Sequence, residues 1–200
     1  MDKARIAVLV SGGGTNLQAL LDAQTTGILK SGQICLVISN NPNAYALERA
    51  KNAGVESKVV TKKEVGSQNA FEQKIIDLLE EKQIDVIVLA GFMSILSENF
   101  TGRYPERILN VHPSLIPSFC GAGFYGLRVH EEALRYGVKV TGATVHFVNE
   151  IPDGGRIILQ KSVSIRKGDT PEVLQKRVME QAEWKILPRA VEMVSKKYRK

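Results

Sequence analysis

Short, almost continuous apolar runs alternate with helical segments through the first half of the chain. The runs at 5–10, 34–39 and 85–90 lack the polar alternation of a half-exposed strand, so they predict parallel strands covered on both faces. Apolar spacing predicts a helix over 70–81, and Gly54 ends another over 44–53. Strands that alternate with helices in this way are typical of a parallel sheet.

The second half of the chain changes this pattern. Apolar residues over 108–111 predict the buried end of a further strand, and two runs at 140–148 and 156–165 predict an antiparallel pair. A single long helix is expected from 170 to about 195, with a kink at Pro188. Three smaller elements are a helix after residue 16, an edge strand over 57–61 and a helix over 128–136. The predicted fold is therefore α/β, with a Rossmann-like open, twisted, mostly parallel sheet flanked by helices and an antiparallel strand pair near the C-terminal end.

The composition is that of a globular protein, because 44% of the 200 residues are hydrophobic and 24% are charged. Neither a repeat nor a linker divides the sequence, so we expect a single domain over 1–200. No signal peptide or 18-residue apolar run is present in it, which favours the cytoplasm and no membrane partner.

The net charge of +6 owes much to a cluster of lysines and arginines near the end of the chain. No aromatic residues are interleaved there as a stacking platform, so we expect small anionic substrates rather than nucleic acid. Cys35 and Cys120 are far apart and lack a paired spacing, so neither a disulfide nor a metal site is expected.

A glycine-rich turn, Ser11-Gly-Gly-Gly-Thr-Asn, separates the first strand from the first helix. The first N–H groups of a helix have no intrahelical partner, and glycines let a ligand approach them, so this turn predicts a phosphate site. The turn is not a Walker A loop, and Leu17 occupies the third glycine's place in a dinucleotide-binding motif. The alternative is a tight strand-to-helix turn that Thr15 caps.

Asn110 and His112 lie two residues apart at the end of a predicted strand, so their side chains share one face. Open α/β sheets bind ligands at this end of their strands. An Asn amide donates hydrogen bonds and a His exchanges protons near neutral pH, so the pair could stabilise an oxyanion and move a proton. The alternative is a purely structural strand end. The small residues that follow over 118–126 predict a mobile lid.

Several other positions have both a structural and a functional interpretation. Met93 and Leu96 are either core residues or the wall of a pocket for a flat heterocycle. Asp153, before two glycines, is either a turn residue or an acid delivered to the site. His130 is interpreted as a surface or packing histidine, and His146 as a core histidine.

Five motifs are spread over the chain. They are Ser11-Gly-Gly-Gly-Thr-Asn-Leu-Gln-Ala, Val88-Leu-Ala-Gly-Phe-Met, Asn110-Val-His-Pro-Ser-Leu-Ile-Pro, Gly142-Ala-Thr-Val-His-Phe-Val, and Asp153-Gly-Gly before Ile157-Ile-Leu-Gln. Together they resemble the phosphoribosylglycinamide formyltransferase family, folate-dependent enzymes of purine synthesis, from the first strand to the last helix. The Asn-x-His-Pro motif with the downstream Asp is shared by the wider formyltetrahydrofolate-using superfamily. The glycine-rich turn narrows the resemblance to the glycinamide ribonucleotide branch.

The resemblance implies three groups of site residues within one domain, with a phosphate-binding half over 1–105 and a catalytic and folate-binding half over 106–200. The catalytic trio is Asn110, His112 and Asp153. The ribonucleotide-binding residues are Gly14, Thr15, Asn16 and Glu183. The folate-binding residues are Gln68, Met93, Ser94, Ile95, Leu96, Asn110 and Val148.

Two features depart from the family pattern. Gln68 and Ser94 stand where members often carry Arg on the folate side, so the sequence does not identify what holds the glutamate tail of the folate. The last helix reads Ala182-Glu183-Trp184 where Glu-His is usual, with one extra residue before it.

The implied reaction moves a formyl group from 10-formyltetrahydrofolate, a co-substrate, to the amine of N1-(5-phospho-D-ribosyl)glycinamide, with no metal, in a monomer or homodimer. Asn110 and a protonated His112 would donate hydrogen bonds to the oxyanion, and the Asp153 carboxylate would raise the pKa of His112 and keep it protonated.

Three alternatives remain. Formyltetrahydrofolate deformylase shares the trio but has an additional N-terminal regulatory domain, and methionyl-tRNA formyltransferase has an additional C-terminal domain; we expect neither domain here. A non-enzymatic nucleotide-binding module would explain the glycine-rich turn but not Asn110, His112 and Asp153.

Overall fold

A computed structural model describes residues 2–199, which form a seven-stranded sheet in the order β3-β2-β1-β4-β5-β6-β7. The strands are β1 (Ala4–Val10), β2 (Gly32–Ser39), β3 (Glu56–Val59), β4 (Val86–Leu89), β5 (Ile108–His112), β6 (Val140–Phe147) and β7 (Ile157–Ser164). The helices are α1 (Thr15–Thr25), α2 (Tyr45–Asn52), α3 (Lys62–Val65), α4 (Gln68–Glu81), α5 (Glu98–Arg103), α6 (Leu127–Tyr136), α7 (Pro171–Val178) and α8 (Trp184–Ser195). A π-helical turn, Met179–Glu183, joins α7 to α8.

The sheet is parallel from β3 to β5 and antiparallel at its other side. β3, β2, β1, β4 and β5 run parallel to one another, whereas β6 runs antiparallel to both β5 and β7. The predicted fold class, a mostly parallel sheet with an antiparallel pair near the C-terminal end, is confirmed.

Hydrophobic cores cover both faces of the sheet, which explains the continuous apolar runs. Successive side chains of β1 point to opposite faces. Val8 packs in the same core as Leu187 of α8, whereas Leu9 packs in the other core with Phe71 of α4 and Phe100 of α5. A central strand therefore needs apolar residues at every position.

The order of the strands brings the candidate segments to one edge of the sheet. The chain leaves β1 for β2 on one side and returns to β4 on the other, which creates a crevice at the carboxyl ends of these strands. The glycine-rich turn follows β1, the segment 91–96 follows β4, and Asn110 and His112 end β5.

Two short helices and one strand boundary differ from the sequence predictions. The edge strand spans Glu56–Val59 rather than 57–61, and α3 and α5 were not predicted. Each of these helices begins at a hydroxyl cap: Thr61 Oγ1 accepts from the Glu64 N–H, and Ser97 Oγ from the Phe100 N–H. A helix of four or six residues is too short to show an apolar period, so the caps are its main sequence signal.

The C-terminal helix departs from α geometry before Pro188 is reached. The sequence predicted one helix from 170 to 195 with its kink at Pro188, but the irregular turn is Met179–Glu183 and Pro188 lies buried within α8. A π-turn accommodates one residue more than an α-turn. The turn lies at the place in the helix where the resemblance indicates one extra residue before Glu183.

Candidate active site

The end of β5 brings Asn110 and His112 to a shared cavity of about 570 Å³. Their side chains point to the same side because they are two residues apart on a strand. His112 is only 4% exposed, and Asn110 is half-buried. Pro113 follows at once and lines the same cavity. The predicted common face is therefore present.

Asp153 reaches this pair from the loop between β6 and β7. Its Oδ2 lies 3.4 Å from His112 Nδ1 and accepts a hydrogen bond from the Gly121 N–H at 2.8 Å. Its Oδ1 lies 3.5 Å from His146 Nε2. The backbone of Asp153 has a positive φ of 56°, a region that Asp tolerates better than most residues. The structure thus brings the three residues of the predicted trio together.

The charge state of His112 differs from the sequence-based expectation. Its two ring nitrogens face acceptors, Asp153 Oδ2 and, at 2.8 Å from Nε2, the carbonyl oxygen of Phe119. Burial nevertheless lowers the pKa of His112 below its usual value, and the Asp153 charge and the Phe119 carbonyl offset this only in part. The expectation that Asp153 keeps the ring protonated is therefore wrong for this state of the protein, because desolvation of the imidazolium outweighs the carboxylate.

Asp153 itself is held ionised. Burial raises its pKa, but the neighbouring His146 and His112 rings and the Gly121 N–H together outweigh this, so the pKa of Asp153 lies below its usual value. The carboxylate is thus available to stabilise a positive charge on His112 whenever the ring takes up a proton.

His146 is a neighbour of the trio that the sequence reasoning treated only as a core residue. It is 2% exposed and lies directly opposite Asn110 in the β5–β6 ladder. Asn110 Nδ2 lies 3.2 Å from His146 Nε2, and His146 Nδ1 lies 2.8 Å from the Phe147 carbonyl oxygen. A ring that donates from Nδ1 to this carbonyl accepts at Nε2, so His146 orients the Asn110 amide. Its cross-strand position is the signal that could have identified it.

The glycine-rich turn borders the same cavity through its last residue, Asn16. Gly14, not Thr15, is the N-cap of α1, with a φ of 72°, and the first α-helical hydrogen bond runs from the Gln18 N–H to the Gly14 carbonyl. The preceding N–H groups of the first turn have no intrahelical acceptor. Of the predicted residues here, Asn16 lines the cavity, whereas Thr15 lines a separate groove and contacts Met179 Sδ at 3.8 Å.

Glu183 faces Asn16 across the cavity. Asn16 Nδ2 donates to Glu183 Oε2 at 2.8 Å, and both residues line the cavity. Burial raises the pKa of Glu183 to about 7, against the smaller opposing effect of the Asn16 hydrogen bond. A carboxyl with one protein donor keeps other lone pairs available for hydroxyl groups of a ligand.

The segment after β4 forms the other side of the cavity and an extension of it. Met93, Ser94 and Ile95 line the cavity, and Met93 and Ile95 are 57% and 74% exposed. A smaller adjoining cavity of about 140 Å³ is lined by Leu96 and Val148 together with Asn110 and Asp153. Leu96 is 6% exposed, so it belongs to the core as well as to the cavity wall.

Gln68 and Ser94 are both engaged in hydrogen bonds within the protein. Gln68 Nε2 donates to Glu72 Oε1 at 2.5 Å and to the Ile95 carbonyl at 3.1 Å. Ser94 Oγ accepts from Asn40 Nδ2 at 2.8 Å. Gln68 lies outside the main cavity, in a shallow groove that continues from it.

The segment 118–126 covers the site, and its closure as a lid stays a prediction. Its residues 121–126 line the cavity, and it is attached to the trio through the Phe119 carbonyl at His112 and the Gly121 N–H at Asp153. His130 of α6 also lines the cavity and is fully buried, so it is a packing histidine rather than a surface one.

Residues 2–199 contain no group of three or more His, Cys, Asp or Glu side chains placed to hold a metal ion. In the same part of the chain, no helix has the length and the hydrophobicity that spanning a membrane requires. Cys35 and Cys120 are not paired with each other.

Comparisons with known proteins agree with this geometry. A family model described as formyl transferase matches residues 4–191. The chain is 43% identical over 184 residues to the phosphoribosylglycinamide formyltransferase of Haemophilus influenzae. The aligned part covers 92% of this chain and 84% of that protein. The crystal structure of glycinamide ribonucleotide transformylase 1 from Symbiobacterium toebii superposes with a TM-score of 0.91 at 40% identity, over 98% of this chain and 89% of that one.

The chain belongs to the phosphoribosylglycinamide formyltransferase family. Formyl transferases use formyl-tetrahydrofolate as their formyl donor, and the named relatives of this family are transferases of purine biosynthesis. No comparison favours the deformylase alternative.

Family members occur both as separate proteins and within larger ones. The chain is 47% identical over 193 residues to the human trifunctional purine biosynthetic protein adenosine-3, which covers 96% of this chain but only 18% of that protein. The chain thus spans less than a fifth of such trifunctional relatives, and most of the separate Haemophilus influenzae enzyme.

Proposed function

We propose that the protein transfers the formyl group from N10 of 10-formyltetrahydrofolate to the amine of N1-(5-phospho-D-ribosyl)glycinamide, giving the N2-formyl product and tetrahydrofolate in de novo purine biosynthesis. The observation that carries this proposal is the convergence of Asn110, His112 and Asp153 on the cavity that Asn16 and Glu183 also line. One cavity therefore offers groups for a phosphorylated sugar and groups for acyl transfer.

The ribonucleotide is bound between α1 and the π-helical turn. Its phosphate accepts hydrogen bonds from the N–H groups of the first turn of α1, at Gly14, Thr15 and Asn16, where the helix dipole favours an anion. Glu183 accepts from the ribose hydroxyls, since its carboxyl has a single protein donor in Asn16. The amine then extends towards Asn110 and His112 at the end of β5.

The amine nitrogen attacks the formyl carbon, so a C–N bond forms and the formyl oxygen becomes an oxyanion. Asn110 Nδ2 has two hydrogens, and His146 Nε2 engages one of them, which leaves the second for the oxyanion. A fixed donor of this kind contributes a rate factor of roughly a hundred or more, because it needs no reorganisation as the charge develops.

His112 moves the proton that the attacking amine must lose. Its lowered pKa favours the neutral ring. Once the bound ligand displaces the Phe119 carbonyl from Nε2, this nitrogen accepts the amine proton and donates it to N10 as the C–N10 bond breaks. Asp153 Oδ2, which faces Nδ1, stabilises the transient imidazolium. The proton that the attacking amine loses is therefore the one that the leaving N10 gains.

The pocket for the folate is formed by the segment after β4 and the loop after β6. The wall beside Asn110 combines apolar surface with main-chain groups. It is formed by Met93, Ser94, Ile95, Leu96 and Val148. This combination suits a flat heterocycle with polar edges.

The deciding experiment is an absorbance assay of folate turnover with a 10-formylfolate donor, with and without the ribonucleotide, for wild type and His112→Ala. We expect turnover that requires the amine and falls at least a hundredfold in the variant, with an unchanged circular dichroism spectrum. Turnover that is independent of the amine would indicate a hydrolase instead. No turnover with tight ribonucleotide binding would leave only a binding module.

A further inference from the structure

The main cavity continues into a shallow groove of about 510 Å³. The groove shares Met93, Ser94 and Ile95 with the cavity and adds Lys62 and Gln68 at its outer end. A long ligand can therefore lie continuously from Asn110 to the surface at α3.

Lys62 is the only lysine or arginine among the described residues that line the cavity, its smaller extension and the groove. The acidic residues of these linings are Glu150, Asp153 and Glu183, so the charge elsewhere along the path is negative. Lys62 is exposed at the start of α3. None of the salt bridges among residues 2–199 involves it.

The other polar side chains of the groove are neutral and already bonded. Gln68 donates to Glu72 and to the Ile95 carbonyl, and Ser94 accepts from Asn40. The Gln68 bond to the Ile95 carbonyl fixes the groove wall, because it ties α4 to the segment after β4. An anion at this end of the path thus has one cationic partner.

Apolar surface separates this cation from the reacting groups. Met93 and Ile95 are 57% and 74% exposed and line both the cavity and the groove, so they present apolar surface on which a ligand can lie. The order along the path is therefore hydrogen-bonding groups at Asn110, apolar surface at Met93 and Ile95, and a positive charge at Lys62. A folate has the matching order: a polar heterocycle, an aminobenzoyl ring and a glutamate with two carboxylates.

We propose that Lys62 Nζ binds the glutamate carboxylates of the folate donor. It would replace the arginines that family members often carry at the positions of Gln68 and Ser94. This inference rests on the proposed formyl transfer. Because Lys62 is exposed, its ion pair with a carboxylate is weak and sensitive to salt, so it acts on the KM of the donor rather than on kcat. Glu150 and Asp153 would repel a carboxylate that lay at their end of the path, which reinforces this orientation.

The test compares Lys62→Gln with Lys63→Gln, using 10-formyltetrahydrofolate and its analogue that ends at the benzoate and lacks glutamate. Lys63 is the matched control, since it is the next residue of α3 and does not line the groove. We expect Lys62→Gln to raise the donor KM about three- to fivefold at low ionic strength with the glutamate-containing donor only, and to leave kcat and the ribonucleotide KM unchanged. Lys63→Gln should change none of these values.

An equal rise in KM for both donors, the same rise in Lys63→Gln, or no rise at all would overturn the role of Lys62 while wild-type transfer persists. Loss of amine-dependent transfer in the wild type would instead contradict the proposed function, and this inference with it. The two failures are distinguished by the wild-type assay alone.

Discussion

Asp153 Oδ2 lies 3.4 Å from His112 Nδ1, and the Gly121 N–H donates a hydrogen bond to the same oxygen and holds it there. The ion pair that this contact would form exists only when His112 is protonated, and burial makes that state costly in the free protein. The geometry is therefore suited to stabilise a charge that arises during the reaction rather than one present beforehand.

Replacing the carboxylate by an amide tests this relationship. We expect Asp153→Asn to lower kcat by on the order of a hundredfold with little change in either KM, because an amide cannot stabilise the imidazolium. The acid limb of the pH–kcat profile should move to lower pH, since the Asp153 charge raises the pKa of His112 and its removal lowers it further. Asn also tolerates the φ of 56°, so Tm should change little. A kcat within a few-fold of wild type would contradict the role of Asp153.

The N-cap of α1 requires glycine for two independent reasons. Gly14 has a φ of 72°, and a Cβ there would lie 2.7 Å from Ala46 Cβ and 2.8 Å from Ala46 Cα. We expect Gly14→Ala to lower the free energy of unfolding by about 1–3 kcal/mol and to raise the KM of the ribonucleotide, because the first turn of α1 must shift. Gly13→Ala is the matched control: nothing lies within 4 Å of its Cβ, so its urea denaturation curve should match that of wild type. Equal stability of the two variants would refute this account.

Glu183 makes stability depend on pH in a defined direction. Its pKa is about 7 in the folded protein and near 4.5 when unfolded, so its contribution is fully present below pH 4.5 and is lost as the pH rises through 7. We expect the difference in Tm, Glu183→Gln minus wild type, to increase from pH 5 to pH 8. The KM of the variant for the ribonucleotide should exceed that of wild type at every pH in this range. Parallel Tm curves for the two proteins would show that Glu183 is not protonated in the fold.

His130 has the opposite dependence. Burial, and secondarily the His112 charge, lowers its pKa to about 4, and within residues 2–199 neither ring nitrogen has a hydrogen-bond partner. The unfolded chain binds a proton near pH 6.5, so the contribution of His130 to stability is present above that pH and is lost as the pH falls towards 4. As the pH is lowered from 6.5 to 4.5, the Tm of His130→Leu should fall less than the Tm of wild type. A variant that loses stability as steeply as wild type would count against this assignment.

The sequence predicted the parallel strands and the Asn110–His112 face because both depend on local periodicity. It could not predict that His146 lies against Asn110, since that contact depends on the register of β5 with β6 across a long connection. The approach of Asp153 to His112 was implied only by the family resemblance and not by local pattern, since it depends on a loop residue with a positive φ. The lowered pKa of His112 follows from burial in the assembled core, which no local pattern specifies.

In a regular helix, one register would decide both which side chains enter the cavity and which side chains pack in the core. The π-helical turn Met179–Glu183 separates these two choices. Such a turn takes up a surplus residue locally, so α8 keeps Leu187 and Val191 in the core whichever residues occupy the turn. We expect removal of one residue of the turn, such as Glu180, to return it to α geometry and to change which side chains enter the cavity, without rotating the packed face of α8. A buried helix thereby gains the tolerance to length change that is usually found in surface loops, at the point where it contacts the substrate.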